Sequence, residues 1–208
     1  DAMRAHPQYS EVMGATGAYI APLRGATLTG AEELFASRLA RRIPGIRRSE
    51  RAFVTYLNQA RWSSLEAGYN AMKAQGASPE HLKLLGQFVD YASGRGKIPT
   101  SLEKFSPVLN ATLFSPRLQA ATLQLPRQIG RMLISGNPYM RKEAAKALVT
   151  FVGGGASILG LLNATGHKVE TDPRSSDFAK IKIGATRLDI WRGYVQYARF
   201  AAQLLTGE

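Results

Sequence analysis

The sequence contains no cysteine, and only three of its 208 residues are histidines. Without thiols the chain has no disulfide scaffold, no thiol nucleophile and no cysteine-ligated zinc. The three histidines (His6, His81 and His167) lie far apart along the chain, so we do not expect a histidine-rich metal site. We therefore predict a protein without a metal ion or a cofactor.

Acidic residues are also scarce: 15 Asp and Glu stand against 27 Lys and Arg, which gives a net charge of +12. Arginine outnumbers lysine by 18 to 9. Guanidinium groups bind phosphate and carboxylate bidentately, so this bias favours contact with a polyanion or an acidic protein. The composition leaves nucleic acid, an anionic membrane surface and an acidic protein open as partners.

The remaining composition is that of a folded protein. Hydrophobic residues make up 45% and charged residues 20%, enough for one globular domain or two small ones, so disorder along the whole chain is not expected. The chain begins at Asp1 without a basic and then apolar leader. We expect a fragment or a processed product of a longer polypeptide, with no signal peptide.

Apolar residues recur at spacings of three and four over most of the chain, which predicts helices. Thr29 starts a predicted helix that Pro44-Gly45 ends, and Ser49 starts a longer one. Ser78-Pro79, Ser115-Pro116 and Asn137-Pro138 open further helices, Pro126 interrupts the second of these, and another helix is predicted over 101–113.

After Gly166 the period changes. Residues 178–183 and 187–191 alternate apolar with charged side chains around Gly184, which predicts a β-hairpin, and helical spacing returns over 194–205. The predicted fold is mainly α: a helical bundle or an extended helical assembly with one β-hairpin near the C-terminus. We divide it into an extended N-terminal arm (1–30), a helical region (31–166) and a hairpin plus terminal helix (167–208).

The alternation also predicts which hairpin side chains are buried. Four aliphatic residues form the expected core face: Ile181, Ile183, Leu188 and Ile190. We expect Lys180 or Lys182 to lie beside Asp189 across the strands, and Trp191 to cover the junction with the last helix.

A dense arginine cluster is the first candidate site. Its six residues fall within fourteen positions: Arg38, Arg41, Arg42, Arg47, Arg48 and Arg51. Such a cluster can displace counterions from nucleic acid, pair with acidic groups of a protein partner, or only keep the chain soluble. No known nucleic-acid-binding motif accompanies it, so these alternatives stay open.

The second candidate is the apolar run, the twenty uncharged residues 147–166 between Lys146 and His167. Its strongly apolar members are Leu148, Val149, Phe151, Val152, Ile158, Leu159, Leu161 and Leu162. They contribute roughly −2.4 to −4.8 kcal/mol to bilayer insertion, but the glycines and Asn163 oppose it, so the run is a marginal membrane span.

The apolar run has an alternative interpretation as a buried helix. In that case Leu148, Val152, Leu159 and Leu162 are buried against other helices. The glycines at 153–155 then mark a break in the helix or a close helix contact.

Three carboxylates near the hairpin (Asp172, Asp177 and Asp189) suggest a weaker alternative, a hydrolase site. No histidine lies among them, and Asp172–Asp177 has the composition of a turn whose side chains bond the local backbone.

Seven phrases occur in an order that resembles the carboxy-terminal helical region of very large tailed-phage and prophage proteins, of the polyvalent or internal-virion type. They are SERAF at 49–53, YASGRG at 91–96, FSPRL at 114–118, YMRKEA at 139–144, ETDPRSSDF at 170–178, KIKIG at 180–184 and DIW at 189–191. The similarity covers residues 45–207 and leaves 1–44 out. It implies a virion-associated segment and supplies no catalytic residues, because enzymatic activity in that group lies in other domains.

We therefore predict a non-enzymatic structural or interaction module of a phage virion, an internal or ejected protein segment that contacts DNA or other virion proteins. Its expected partners are portal, internal or tail proteins in an oligomeric assembly. The alternative is a membrane-active segment of a DNA-ejection conduit. The expected location is the virion, with the host cell envelope following ejection under the alternative.

Overall fold

The computed structural model describes residues 3–21, 44–103, 115–191 and 193–206. The helices in this part of the chain are α1 (Tyr9–Thr16), α2 (Pro44–Ala74), α3 (Pro79–Ala92), α4 (Thr100–Glu103), α5 (Pro116–Ile134), α6 (Pro138–Ala164) and α7 (Val195–Thr206). The strands are β1 (Lys168–Val169), β2 (Ile181–Ile183) and β3 (Thr186–Leu188). The mainly helical class with a hairpin near the C-terminus is confirmed.

The chain divides into two compact units, unit 1 (Asp1–Ala144) and unit 2 (Ala145–Glu208), and the division falls inside α6. In unit 1, α3 packs against α1, α2 and α5. The unit 1 core consists of Val12, Trp62, Leu65, Tyr69, Met72, Leu85, Val89, Met132, Met140 and Ala144.

Two helix starts follow from local side-chain chemistry, as the sequence predicts. The Ser78 hydroxyl accepts a hydrogen bond from the His81 backbone N–H at the start of α3. Asn137 Oδ1 accepts one from the Met140 N–H at the start of α6. In both cases a polar side chain binds an N–H group that has no partner inside the helix.

Two proline predictions are wrong. Pro44, Gly45 and Ser49 all lie inside α2, so the predicted helix end at Pro44-Gly45 and the predicted helix start at Ser49 are both wrong. Pro126 lies inside an uninterrupted α5. The buried side chains of Ala121 and Gln128 flank it, and Gln128 Nε2 donates to the Leu84 carbonyl, so packing against α3 holds the helix together across the proline.

The prediction of an extended N-terminal arm is also wrong for residues 3–21. This segment contains α1, and Val12 is completely buried in the unit 1 core. An eight-residue helix is marginal alone, so its stability comes from tertiary packing that a periodicity search does not detect. The helix predicted from Thr29 and most of the one over 101–113 lie outside the described residues, as do Arg38, Arg41 and Arg42.

The C-terminal sheet has three antiparallel strands in the order β1-β2-β3. The predicted hairpin forms β2 and β3, and β1 is an addition that the sequence did not predict. In the register of this sheet, Lys168 pairs with Lys182, and Lys182 pairs with Arg187. In the adjacent row, Val169 pairs with Ile181, and Ile181 pairs with Leu188. Because neighbouring residues of a strand point to opposite faces, this apolar row lies on the face opposite the cations.

The hairpin core face is only partly correct. Ile181 is buried and Ile190 is half-buried, but Ile183 and Leu188 are exposed because no described element covers them. The expected lysine–Asp189 pair is wrong. Lys180 Nζ instead lies 3.4 Å from Asp177, and Arg187 Nε donates to Asp177 at 2.8 Å.

Candidate functional site

The apolar run lies in the C-terminal two thirds of α6 and is largely uncovered. Among the described helices, α6 is the one long and apolar enough to cross a membrane, and 6% of its most apolar window is buried. Val149 and Leu161 are 72% and 69% exposed. A core helix of a soluble protein can be equally apolar, but its apolar side chains are mostly buried. The exposed side chains of α6 distinguish it from such a helix.

The expected burial of four residues in the run is wrong within this chain. Leu148 and Val152 are exposed, and Leu159 and Leu162 are half-buried. The described elements of unit 2 contact α6 mainly through Trp191 and Tyr194 at Phe151, which leaves most of the run uncovered. The helix also passes through Gly153–Gly155 without a break.

The predicted close contact with another helix is wrong too, because the close neighbour is the Trp191 indole and it lies against Gly155 alone. A Cβ atom at Gly155 would lie only 2.1 Å from Cη2 of Trp191. The half-buried Trp191 donates from Nε1 to the Ala179 carbonyl at 3.1 Å, and its ring meets Phe151 edge-on. The two other glycines have open space around them.

The last helix adds a second exposed apolar surface in unit 2. Tyr197, Phe200 and Leu204 are all exposed and lie at spacings of three and four on α7. Tyr194, directly before α7, meets Phe151 edge-on at 5.5 Å. Trp191 and Tyr194 therefore cover one side of α6 near Phe151, while most of the apolar run stays exposed.

The described part of the arginine cluster lies in the first two turns of α2. Arg48 and Arg51 are exposed and three residues apart, which places them on one helix face. Arg47 belongs to the same turns. The binding role of the cluster stays a prediction.

The three carboxylates of the possible hydrolase site are each engaged by local donors. Asp172 Oδ1 accepts the Arg174 backbone N–H, and Asp189 accepts the N–H groups of Trp191 and Gly193. The pKa of Asp172 is lowered by its hydrogen bonds from Arg174, and the pKa of Asp177 is lowered by its hydrogen bond from Arg187. This is the turn chemistry that the sequence indicates, and a lowered pKa does not suit a general acid.

The sequence did not predict a buried polar cluster that holds the N-terminal segment. Asp90 Oδ1 accepts the Tyr19 backbone N–H at 3.1 Å, and the Arg95 guanidinium lies 3.3 Å from the centre of the Tyr19 ring. Burial raises the pKa of Asp90 to about 6, while the Tyr19 N–H and the charge of Arg61 act in the opposite direction. Tyr19 and Asp90 are 71 residues apart, so no local pattern could have revealed the contact.

Asn58 extends this attachment. Its side-chain amide both accepts from the Ala21 N–H and donates to the Ala21 carbonyl, at 3.0 and 2.8 Å. The cluster thus holds residues 19–21 as a strand partner would, and it serves the fold of unit 1.

Within the described ranges no group of three or more His, Asp or Glu side chains is arranged to hold a metal ion. Comparison with protein-family models, curated proteins and solved structures finds no match to this chain. The candidate function therefore depends on the geometry of α6 and its surroundings.

Proposed function

We propose that this chain is a non-enzymatic module of a tailed-phage virion that enters a lipid bilayer through α6 during genome ejection. The observation that carries the proposal is the uncovered apolar run. An apolar patch of this extent on a water-soluble surface marks a site that another apolar phase covers.

The distribution of side chains around α6 favours a bilayer over a protein groove. Val149 and Leu161, both well exposed, lie about 120° apart on the helical wheel. Within the apolar run, the sector between them holds only uncharged residues: Thr150, Gly153, Ser157, Gly160 and Ala164. A helix that docks in a groove keeps a charged outer face, whereas a helix without one fits a membrane span.

The length of the run supports the same proposal. The eighteen residues of the run that lie in α6, 147–164, span about 27 Å at 1.5 Å each, close to the roughly 30 Å thickness of the hydrocarbon core. Lys146 and Lys168, which bound the run closely, are exposed and suit the polar headgroup regions. Insertion requires Trp191 to leave Gly155, because the indole lies against the middle of the run.

The virion context rests on the ordered phrases between residues 49 and 191 that resemble internal virion proteins. In that setting the module is packaged in the particle with other virion proteins and DNA and reaches the host cell envelope on ejection. The alternative within the same setting is a module whose apolar run packs only against other virion proteins.

The absence of cysteine permits a direct test. Leu161→Cys carrying an environment-sensitive nitrobenzoxadiazole label is mixed with phosphatidylcholine vesicles. We expect a blue shift of its emission and protection from a water-soluble quencher.

Adding Ile158→Asp places a carboxylate near the middle of the run, which costs about 2.5–3.5 kcal/mol, so partitioning falls by roughly 100-fold or more. The matched control is Leu123→Asp in α5, where the leucine is also exposed. If Ile158→Asp leaves partitioning unchanged, or the control lowers it equally, the membrane proposal is wrong and the packing module replaces it.

A further inference from the structure

The register of the C-terminal sheet aligns three cations. Lys168 of β1 is directly opposite Lys182 of β2, and Lys182 is directly opposite Arg187 of β3. Residues paired in this way project from the same face of a sheet. All three are exposed, and we call this row the basic ladder.

The fold itself does not require the basic ladder. Like charges directly opposite each other destabilise a strand pair. The buried side chain of the sheet, Ile181, lies on the other face, in the row with Val169 and Leu188. Asp177 engages Arg187. Lys168 and Lys182 have no ion pair with any described residue.

The position of the basic ladder indicates its partner. Lys168 lies four residues beyond Ala164, the last residue of α6. When the apolar run occupies the hydrocarbon core, Lys168 lies at headgroup depth. The strand register holds Lys182 and Arg187 beside Lys168, since neighbouring strands of a sheet lie about 5 Å apart. Lipid phosphates are the anions present at that depth.

We propose that the basic ladder binds the phosphate groups of anionic phospholipids at the membrane end of α6. This inference rests on the proposed membrane function, and it adds the class of lipid. DNA phosphates could attract the same cations, but the ladder directly follows the apolar run, whereas DNA binding would not need that adjacency.

The test compares wild-type protein, Lys168→Gln/Lys182→Gln and the control Lys83→Gln/Lys97→Gln, whose two exposed lysines lie in unit 1. Each is titrated with vesicles of phosphatidylcholine alone and of phosphatidylcholine with 30% phosphatidylglycerol. A lysine near an anionic surface contributes about 1 kcal/mol, or about fivefold in affinity. We expect the ladder variant to lose about 25-fold in affinity for the anionic vesicles and to bind the neutral vesicles as the wild type does. The control variant should keep the wild-type preference for anionic over neutral vesicles.

Two measurements separate this inference from the proposed function. Label protection in neutral vesicles reports insertion of α6, and the ratio of anionic to neutral affinity reports the basic ladder. Insertion without a ladder-dependent ratio overturns only the lipid inference. A ladder-dependent ratio without insertion overturns the proposed function and leaves the lipid inference standing as surface binding. If neither insertion nor a ladder-dependent ratio is found, both proposals are wrong.

A parallel titration with a 30-base-pair DNA duplex distinguishes the other polyanion. If the ladder variant binds DNA more weakly and anionic vesicles normally, the ladder is a nucleic-acid contact and the lipid inference is wrong.

Discussion

Trp191 lies so close to Gly155 that no other residue fits at position 155 while the indole keeps its place. The ring atom Cη2 would be 2.1 Å from a Cβ, far inside van der Waals contact. The neighbouring Gly154 has nothing within 4 Å of its own Cβ position. Two adjacent glycines of one helix therefore differ in whether a partner requires them.

We expect Gly155→Ala to displace the Trp191 indole, breaking its hydrogen bond to the Ala179 carbonyl. Overpacking of this kind costs about 1–3 kcal/mol. Trp191 should become accessible to acrylamide quenching, while Trp62 stays buried. The control Gly154→Ala should gain up to about 1 kcal/mol, since alanine is the better helix former. Equal quenching in the two variants would contradict the close contact.

A second glycine pair tests the packing of α1. A Cβ at Gly86 would lie 2.2 Å from the Thr16 carbonyl oxygen, a backbone atom that cannot rotate away. Gly86→Ala should lower the free energy of unfolding by about 1–3 kcal/mol in urea titrations. Gly130→Ala in α5, where space is open, should not lower it. If both variants behave alike, α1 does not pack on Gly86.

Asp90 should make stability depend on pH between about 4 and 6. Its pKa of about 6 in the folded chain is above the ordinary value of 3.8 for an aspartate. The folded state then binds the proton more tightly. The contribution of Asp90 to stability is therefore full below pH 4 and is lost as the pH rises through 6, by about 3 kcal/mol.

Asp90→Asn does not titrate and keeps an oxygen for the Tyr19 N–H. Its unfolding free energy relative to wild type should rise by about 3 kcal/mol between pH 4 and pH 7 in urea titrations. Asp177→Asn should show the opposite pH dependence. The hydrogen bond from Arg187 lowers the pKa of Asp177, so the contribution of Asp177 to stability is present at neutral pH and is lost as the pH falls. A flat difference curve for Asp90→Asn would contradict a raised pKa.

Lys182→Glu should stabilise the sheet, because it converts two like-charge pairs of the basic ladder into opposite-charge pairs. Each such pair contributes about 0.2–1 kcal/mol. Thermal unfolding followed by circular dichroism measures the gain, with Lys83→Glu in α3 as the control. A loss of stability would indicate that Lys182 has a structural partner.

The arginine cluster has its own measurement. If it contacts DNA, replacing Arg41, Arg42, Arg47 and Arg48 with glutamine should reduce the slope of log affinity against log salt. The slope falls by about 0.9 for each DNA phosphate that an arginine no longer neutralises. An unchanged affinity and slope would favour a protein contact for the cluster.

Local chemistry made part of this fold predictable. The N-terminal caps Ser78 and Asn137 bind backbone groups within three residues, so the sequence around them contains the whole interaction. The β2-β3 hairpin was predictable for the same reason, since its two-residue turn at Gly184 lies between two alternating segments. In contrast, β1 has two residues and no alternation of its own.

Features that depend on distant contacts were not predictable. The Asp90–Tyr19 contact and the burial of α1 require the tertiary fold. Pro126 has the sequence signature of a helix breaker, and only the packing of α5 against α3 shows that the helix continues. The exposure of Leu148 and Val152 belongs to this class too, because an apolar run has the same sequence whether or not another element covers it.

The two ends of α6 differ in how the rest of the chain holds them. Met140 and Ala144 are fully buried in the unit 1 core, whereas the later turns have little cover. Backbone amides of the first turns should therefore exchange with deuterium only through global unfolding, and those beyond Gly155 through local opening. The apolar end of α6 can then exchange its surroundings while its first turns stay anchored, so release of the run does not require the core to unfold.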